Sequence, residues 1–252
     1  IPRFAIGLNP PFIATSQREE SLESTDYFIN VWQPKWHNPL IEDPVDIQTD
    51  DDMVNELHSI NDGLLWNVHT IAVPNEVPVK ARAAAIKTAE MMKSLFVRGQ
   101  CRSRVFVLYG KPGTGKTMSA RVLTKELAGI LYNQYNPTRT RDNLFRIIRD
   151  NANDKPLIVG FHEFDKPLQA IIDGTISETG YDRKDAICKS TWNGLLDNVK
   201  MQKNVIVIMT TNLSPAQLVK DVCKGDTSIL RQGRVDMFIN VEEDGVNALQ
   251  EW

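Results

Sequence analysis

The chain is poor in cysteine, in long apolar runs and in excess charge of either sign. Three cysteines in 252 residues, Cys101, Cys188 and Cys223, show neither CxxC nor metal-ligand spacing. That argues against a disulfide-stapled scaffold and reads as free thiols in a reducing compartment. No apolar run approaches the roughly 18–20 residues that a membrane helix needs, and no basic leader precedes a short apolar segment. The expectation is a chain without a membrane segment, soluble and intracellular, in cytoplasm or an organelle matrix, or in the host cell were it viral. A net charge of −3 and a pI near 5.9 give no global electrostatic reason to expect a nucleic-acid or membrane surface. Internal repeats and low-complexity tracts are missing too.

What is present is organised from the middle of the chain onward. Residues 1–75 read as an irregular, partly acidic arm punctuated by Pro10-Pro11, Gln33-Pro34 and Asn38-Pro39. Its run from Glu42 to Glu56 holds acids but no Lys or Arg and reads as a solvated face or linker. Trp32, Trp36 and Trp66 are not the composition of a free tail. From Pro78 small and apolar residues recur at helical spacing up to Gly99, and the strand-like run Val105–Tyr109 follows. Next come a glycine-rich turn, a helix closing at Gly129, a strand over Ile130–Tyr135, an Asp142-capped helix and a strand over Leu157–Phe161. A Ser190-capped helix carrying Trp192, Leu195, Leu196 and Val199, and a further strand over Val205–Met209, complete the alternation. Strands alternating with helices predict an α/β domain over 76–252, its parallel sheet covered on both faces.

Four motifs carry chemistry. Gly110-Lys-Pro-Gly-Thr-Gly-Lys-Thr117 lies between a hydrophobic strand and a helix, the context that G-x-x-x-x-G-K-[ST] requires. Glycines turn the backbone so that its N–H groups face phosphate oxygens, Lys116 brings a point charge to the β/γ phosphates, and Thr117 offers a hydroxyl to Mg2+. The second motif is Ile158-Val-Gly-Phe-His-Glu-Phe-Asp165, where Glu163 is placed to polarise water as general base. Its His162 stands where a hard oxygen ligand for magnesium is expected. Three readings stay open for it: a neutral imidazole satisfied by neighbours, weakened magnesium affinity with slow turnover, or direct participation. Asp165 would supply the missing carboxylate if the strand end bends. In the third motif, Met209-Thr-Thr-Asn212 places an amide at a strand tip, and in the fourth Arg231-Gln-Gly-Arg-Val-Asp236 offers two guanidinium forks suited to phosphate.

In this order the motifs resemble the AAA+ ATPases, specifically the AAA clade with its second region of homology, over about residues 75–241. Ser190–Asp197 leading into Ile208–Asn212 is most similar to the mitochondrial ATPases that assemble the cytochrome bc complex. The resemblance implies ATP and Mg2+ as cofactors, held by Gly110, Pro112, Gly113, Thr114, Gly115, Lys116, Thr117 and Met118. It further implies Glu163 as the catalytic acidic residue, Asn212 as sensor 1, Arg231 and Arg234 acting across a subunit boundary, and a homo-oligomeric ring, most often a hexamer. Too few residues follow Asp236 for the helical lid of that family, so the lid is expected to be absent or incomplete. No aromatic-hydrophobic-glycine pore loop separates the first two motifs, which argues against threading of unfolded chains. The leading expectation is an ATP-driven motor acting on protein. The runner-up is a nucleic-acid or replication motor with Arg139, Arg141, Arg146 and Arg149 as its basic face, and the third reading is a nucleotide-gated scaffold with little turnover.

Overall fold

The computed structural model describes residues 53–61, 66–74, 79–100, 102–140, 142–152, 154–177, 183–242 and 245–249. Trp32, Trp36, most of the acidic run, Pro78, Cys101 and Arg141 lie outside the described residues.

Two strands come first, β1 (Met53–Asn61) and β2 (Trp66–Pro74), paired antiparallel from Met53↔Pro74 to Asn61↔Trp66. This corrects the irregular-arm reading for these residues, because β1 also joins the main sheet beside β4 (Ile130–Tyr132). The acids of this segment hid it. Glu56 is not on a solvated face: it is 3% exposed and accepts a 3.2 Å bond from Arg121.

Helix α1 (Val79–Arg98) buries Ala84, Ala85, Thr88, Ala89, Met92 and Phe96, a stripe at three- and four-residue spacing. Strand β3 (Arg104–Tyr109) follows, then α2 (Lys116–Glu126), β4, α3 (Leu144–Asn151), β5 (Leu157–Phe161) and α4 (Asp165–Ile172). The chain continues through α5 (Lys189–Val199), β6 (Val205–Thr211), the short turn α6 (Pro215–Gln217), a π turn Leu218–Val222 and a 3-10 turn Thr227–Leu230. It ends in β7 (Met237–Glu242) and β8 (Gly245–Leu249). The eight strands form one sheet in the order β2-β1-β4-β5-β6-β3-β7-β8. Strands β1, β4, β5, β6, β3 and β7 run parallel, while β2 and β8 pair antiparallel at the edges.

Alternation along the central strands sorts the core into two layers. Val105, Val107, Val159, Phe161 and Val207 face α3, α4 and α5, with Trp192 fully buried against Phe161 at a ring distance of 6.2 Å. Phe106, Leu108, Ile158, Ile206 and Ile208 face α1 and α2. Each such aliphatic side chain contributes roughly 1.5–3 kcal/mol by leaving water.

Two expected caps move by one or two residues. Asn143, not Asp142, caps α3 by accepting from the Arg146 N–H, and Asp142 is buried, where it accepts from the Tyr132 hydroxyl and the Asn136 N–H. Cys188, not Ser190, is the N-cap of α5, where the Thr191 hydroxyl accepts from its backbone N–H. Cys188 and Cys223 are free thiols, as their spacing implies.

Candidate nucleotide-binding and catalytic site

In open α/β sheets ligands bind beyond the carboxyl ends of the strands, where successive connections leave in opposite directions. Strand β3 is at that point, between β6 and β7, and its following loop carries the glycines. Gly110 sits at φ +139°, and a Cβ there would come within 2.4 Å of the Val241 carbonyl oxygen, so only glycine lets the loop leave β3 beside β7. Lys116 opens α2, and its ammonium donates to the carbonyls of Gly110 at 2.8 Å and Lys111 at 2.7 Å. Burial pulls its pKa down. Thr114 ties the same loop by donating to the Lys111 carbonyl at 3.0 Å.

A cleft of about 510 Å3 opens over the loop, within the size range of roughly 300–1,000 Å3 usual for small-molecule sites. Pro112, Gly113, Gly115, Lys116, Thr117 and Met118 form one wall. His162 and Glu163, just past β5, and Thr210, Thr211 and Asn212, at the end of β6, form the other. Three motifs far apart in sequence thus meet at the tips of neighbouring strands.

Glu163 occupies a left-handed conformation, φ +49°, which costs a residue other than glycine about 1–3 kcal/mol and tends to mark functional sites. Its carboxylate is exposed and accepts from the Lys166 ammonium at 2.5 Å, and this partner holds it below the usual carboxylate range. His162 Nε2 lies 2.7 Å from Asn133 Oδ1, and Nδ1 lies 3.2 Å from Thr210 Oγ1. Burial, and secondarily the positive charge of Arg121, push the imidazole pKa down to about 4. Of the three readings left open by the sequence, the geometry is that of a neutral imidazole satisfied by neighbours.

The sign of this shift predicts a pH dependence. A folded pKa of about 4 against an unfolded value near 6.5 gives stability that is complete above pH 6.5 and lost as pH falls through 4. The loss should reach roughly 3 kcal/mol. Urea midpoints between pH 4 and 7 should therefore slope more steeply for the native chain than for His162→Gln.

Two expected members stand elsewhere. Asp165 does not extend the strand, because β5 stops at Phe161 and Asp165 begins α4, outside the residues that line the cleft. The arginine pair divides. Arg234 is 7% exposed and forms a bidentate pair with Asp197, at 2.9 Å to each oxygen, while donating to the Ser228 carbonyl at 2.5 Å. Its fork is engaged inside its own chain, whereas the resemblance implies a group that acts across a subunit boundary. Arg231 is exposed at the same turn and does not line its own cleft. Sequence reasoning gave no role to Asn133, Thr210, Lys166 or Asp197. Thr210 and Asp197 lay inside recognised stretches without a role of their own, and the pairings of Asn133 and Lys166 depend on where the loops bring them.

The donor set suits a magnesium ion that arrives with a nucleotide. Thr117 brings a hydroxyl to the cleft, and among the described residues no cluster of three or more His, Cys, Asp or Glu could cage a metal alone. Magnesium usually keeps several waters and shares substrate phosphates, so such a sparse protein contribution fits it.

A glycine loop with Lys-Thr at a helix start, set beyond the central strand of a parallel sheet, defines a P-loop nucleotide hydrolase of the α/β class. Residues 106–243 match the family described as "ATPase family associated with various cellular activities (AAA)", and the chain belongs to that family of ATP-hydrolysing domains. A "26S proteasome regulatory subunit 6B homolog" of Dictyostelium discoideum is 30% identical over 147 residues, covering 54% of this chain and 33% of that protein. The "ATPase family gene 2 protein" of Saccharomyces cerevisiae is 31% identical over 153 residues, 56% of this chain and 17% of that protein. An "AAA ATPase forming ring-shaped complexes" of Bifidobacterium adolescentis is 28% identical over 158 residues, 56% of this chain and 28% of that protein. The matched region thus spans a third or less of each of these relatives.

Proposed function

We propose that this chain is a ring-forming AAA motor that hydrolyses ATP to remodel or move a protein. The observation that carries the reading is the split between the two sides of the site. The cleft of one chain holds Lys116, Thr117, Glu163 and Asn212, whereas Arg231 is exposed outside it, available to a neighbour. In this reading Lys116 and the loop N–H groups hold the phosphates, Glu163 takes the proton of the attacking water, Asn212 orients that water, and Arg231 from the next subunit meets charge at the γ-phosphate. The magnesium that such hydrolysis uses would be bound through Thr117 and the nucleotide's phosphates.

Protein is favoured over nucleic acid because the chain's net charge is −3 and part of the proposed basic face is offset: Arg146 and Arg149 share Asp150, at 3.8 and 2.9 Å. Of the aromatic residues at the loop after β4, Tyr132 and Tyr135 are buried and bonded to Asp142 and Asp185, and Phe145 packs half-buried against the core. This supports action on a folded partner rather than threading of an extended chain. The finer likeness to the bc-complex assembly ATPases rests on Ser190–Asp197 and Ile208–Asn212 and points the same way.

Mixing two inactive variants tests the shared site. Glu163→Gln subunits keep Arg231 and Arg231→Ala subunits keep Glu163, so mixed rings contain complete interfaces and should regain turnover that neither variant shows alone. Mixed rings that form and stay inactive at every ratio would exclude the trans role.

A further inference from the structure

Resting on the reading of Glu163 as general base, we propose that His162 is a positioning residue. It is a neutral strut, in the Nε2–H tautomer, that ties the tips of β4 and β6 across β5 and thereby fixes the backbone from which Glu163 projects.

The geometry places the ring between two partners on different strands. Asn133 directly follows β4 and is nine-tenths buried, and its Oδ1 lies 2.7 Å from His162 Nε2. Thr210, 4% exposed in β6, lies 3.2 Å from Nδ1. An amide oxygen only accepts, so Nε2 carries the proton and Nδ1 accepts from the Thr210 hydroxyl. That assignment orients Thr210, whose single proton is then used, with its lone pairs left for the Glu163 N–H at 3.4 Å. The Phe164 N–H bonds the Thr210 carbonyl at 3.1 Å, so the left-handed turn at Glu163 is held on both sides of its Cα by one residue of β6. Arg121 adds a positive charge that disfavours a second proton on the ring.

Gly160 shows that the strut is built in. A Cβ at this position of β5 would lie 2.7 Å from Asn133 Oδ1 and 2.9 Å from His162 Nε2. The strand is bare where the hydrogen bond crosses it. Aspartate at 162 could not take over the role: its oxygens reach about as far as Nδ1, enough for Thr210 and too short for Asn133.

The test compares the native full-length chain with Asn133→Leu, Asn133→Asp and Gly160→Ala, with histidine labelled by 15N for ring NMR and with exchange of the Glu163 amide followed. The native ring should show the neutral Nε2–H pattern at pH 7. Asn133→Leu, which removes the acceptor at similar size, should mix the tautomers, speed exchange at Glu163 and lower kcat about 10- to 100-fold with little change in nucleotide affinity. Asn133→Asp keeps an acceptor and should restore most of kcat. Gly160→Ala should resemble Asn133→Leu if it folds; if it does not, the Asn133 variants decide. A native ring in the Nδ1–H form, or Asn133→Leu with unchanged ring signals and Glu163 exchange, overturns the strut. So does a His162→Asp variant that gains turnover. If the native chain lacks Glu163-dependent turnover, the general-base reading fails, and the ring and amide signals still decide whether His162 bridges the strands.

Discussion

Glu163→Gln should lower ATP turnover by about 100- to 10,000-fold while leaving ATP binding within a few-fold of native. Glutamine keeps the shape and the left-handed backbone cost but removes the group that accepts a proton from water. Binding is spared because the phosphate-holding atoms belong to the loop after β3, on the opposite wall of the cleft. The glutamate does not stand free: its carboxylate is drawn to Lys166. An exposed pair of this kind is weak because solvent screens it, so a water or a neighbouring subunit can displace it. Steady-state turnover and equilibrium ATP binding, measured on the same preparation, separate the two effects. Equal loss of both would mean that Glu163 holds the nucleotide rather than activating water.

Lys116→Met should weaken ATP affinity by about 30-fold or more, the factor expected when one partner of a buried charged contact, worth roughly 2–5 kcal/mol, is removed. An ammonium has three donors, and two of them bind the Gly110 and Lys111 carbonyls. The same side chain thus shapes the loop and brings positive charge to the phosphates. Those two carbonyls lie on partly or fully exposed residues, where water can replace the lost donor, so the fold should survive. Titration of a fluorescent ATP analogue, with thermal melting as control, checks both halves. A large drop in melting temperature would show that the lysine serves the loop more than the ligand.

The parts of this molecule that could be read from its sequence are those set by short-range physics. Short continuous runs of mostly β-branched residues such as Val205–Met209 read as buried strands, and the loop from Gly110 to Thr117 carries its chemistry in its spacing. The strand pair 53–61 and 66–74 escaped because its interior-facing acid, Glu56, is neutralised by Arg121 some sixty-five residues away, a pairing that no local pattern announces. Asp165 was misplaced for a related reason. The period of two that put it beside Glu163 assumes that the strand goes on, whereas the left-handed turn at Glu163 ends it. The two arginines of the last motif look equivalent in sequence, and only Asp197, on a different helix, tells them apart.

The position of β3 has a consequence for how the chain comes into being on the ribosome. Phe106 pairs with Ile208 on one side and Met237 on the other, partners roughly 100 and 130 residues downstream. The strand that launches the phosphate loop therefore stays unpaired on both edges until nearly all of the domain has been synthesised. Nascent chains halted before residue 205 should bind holdase chaperones and resist folding even with ATP present. Those released after residue 242 should acquire protease resistance in a single late step.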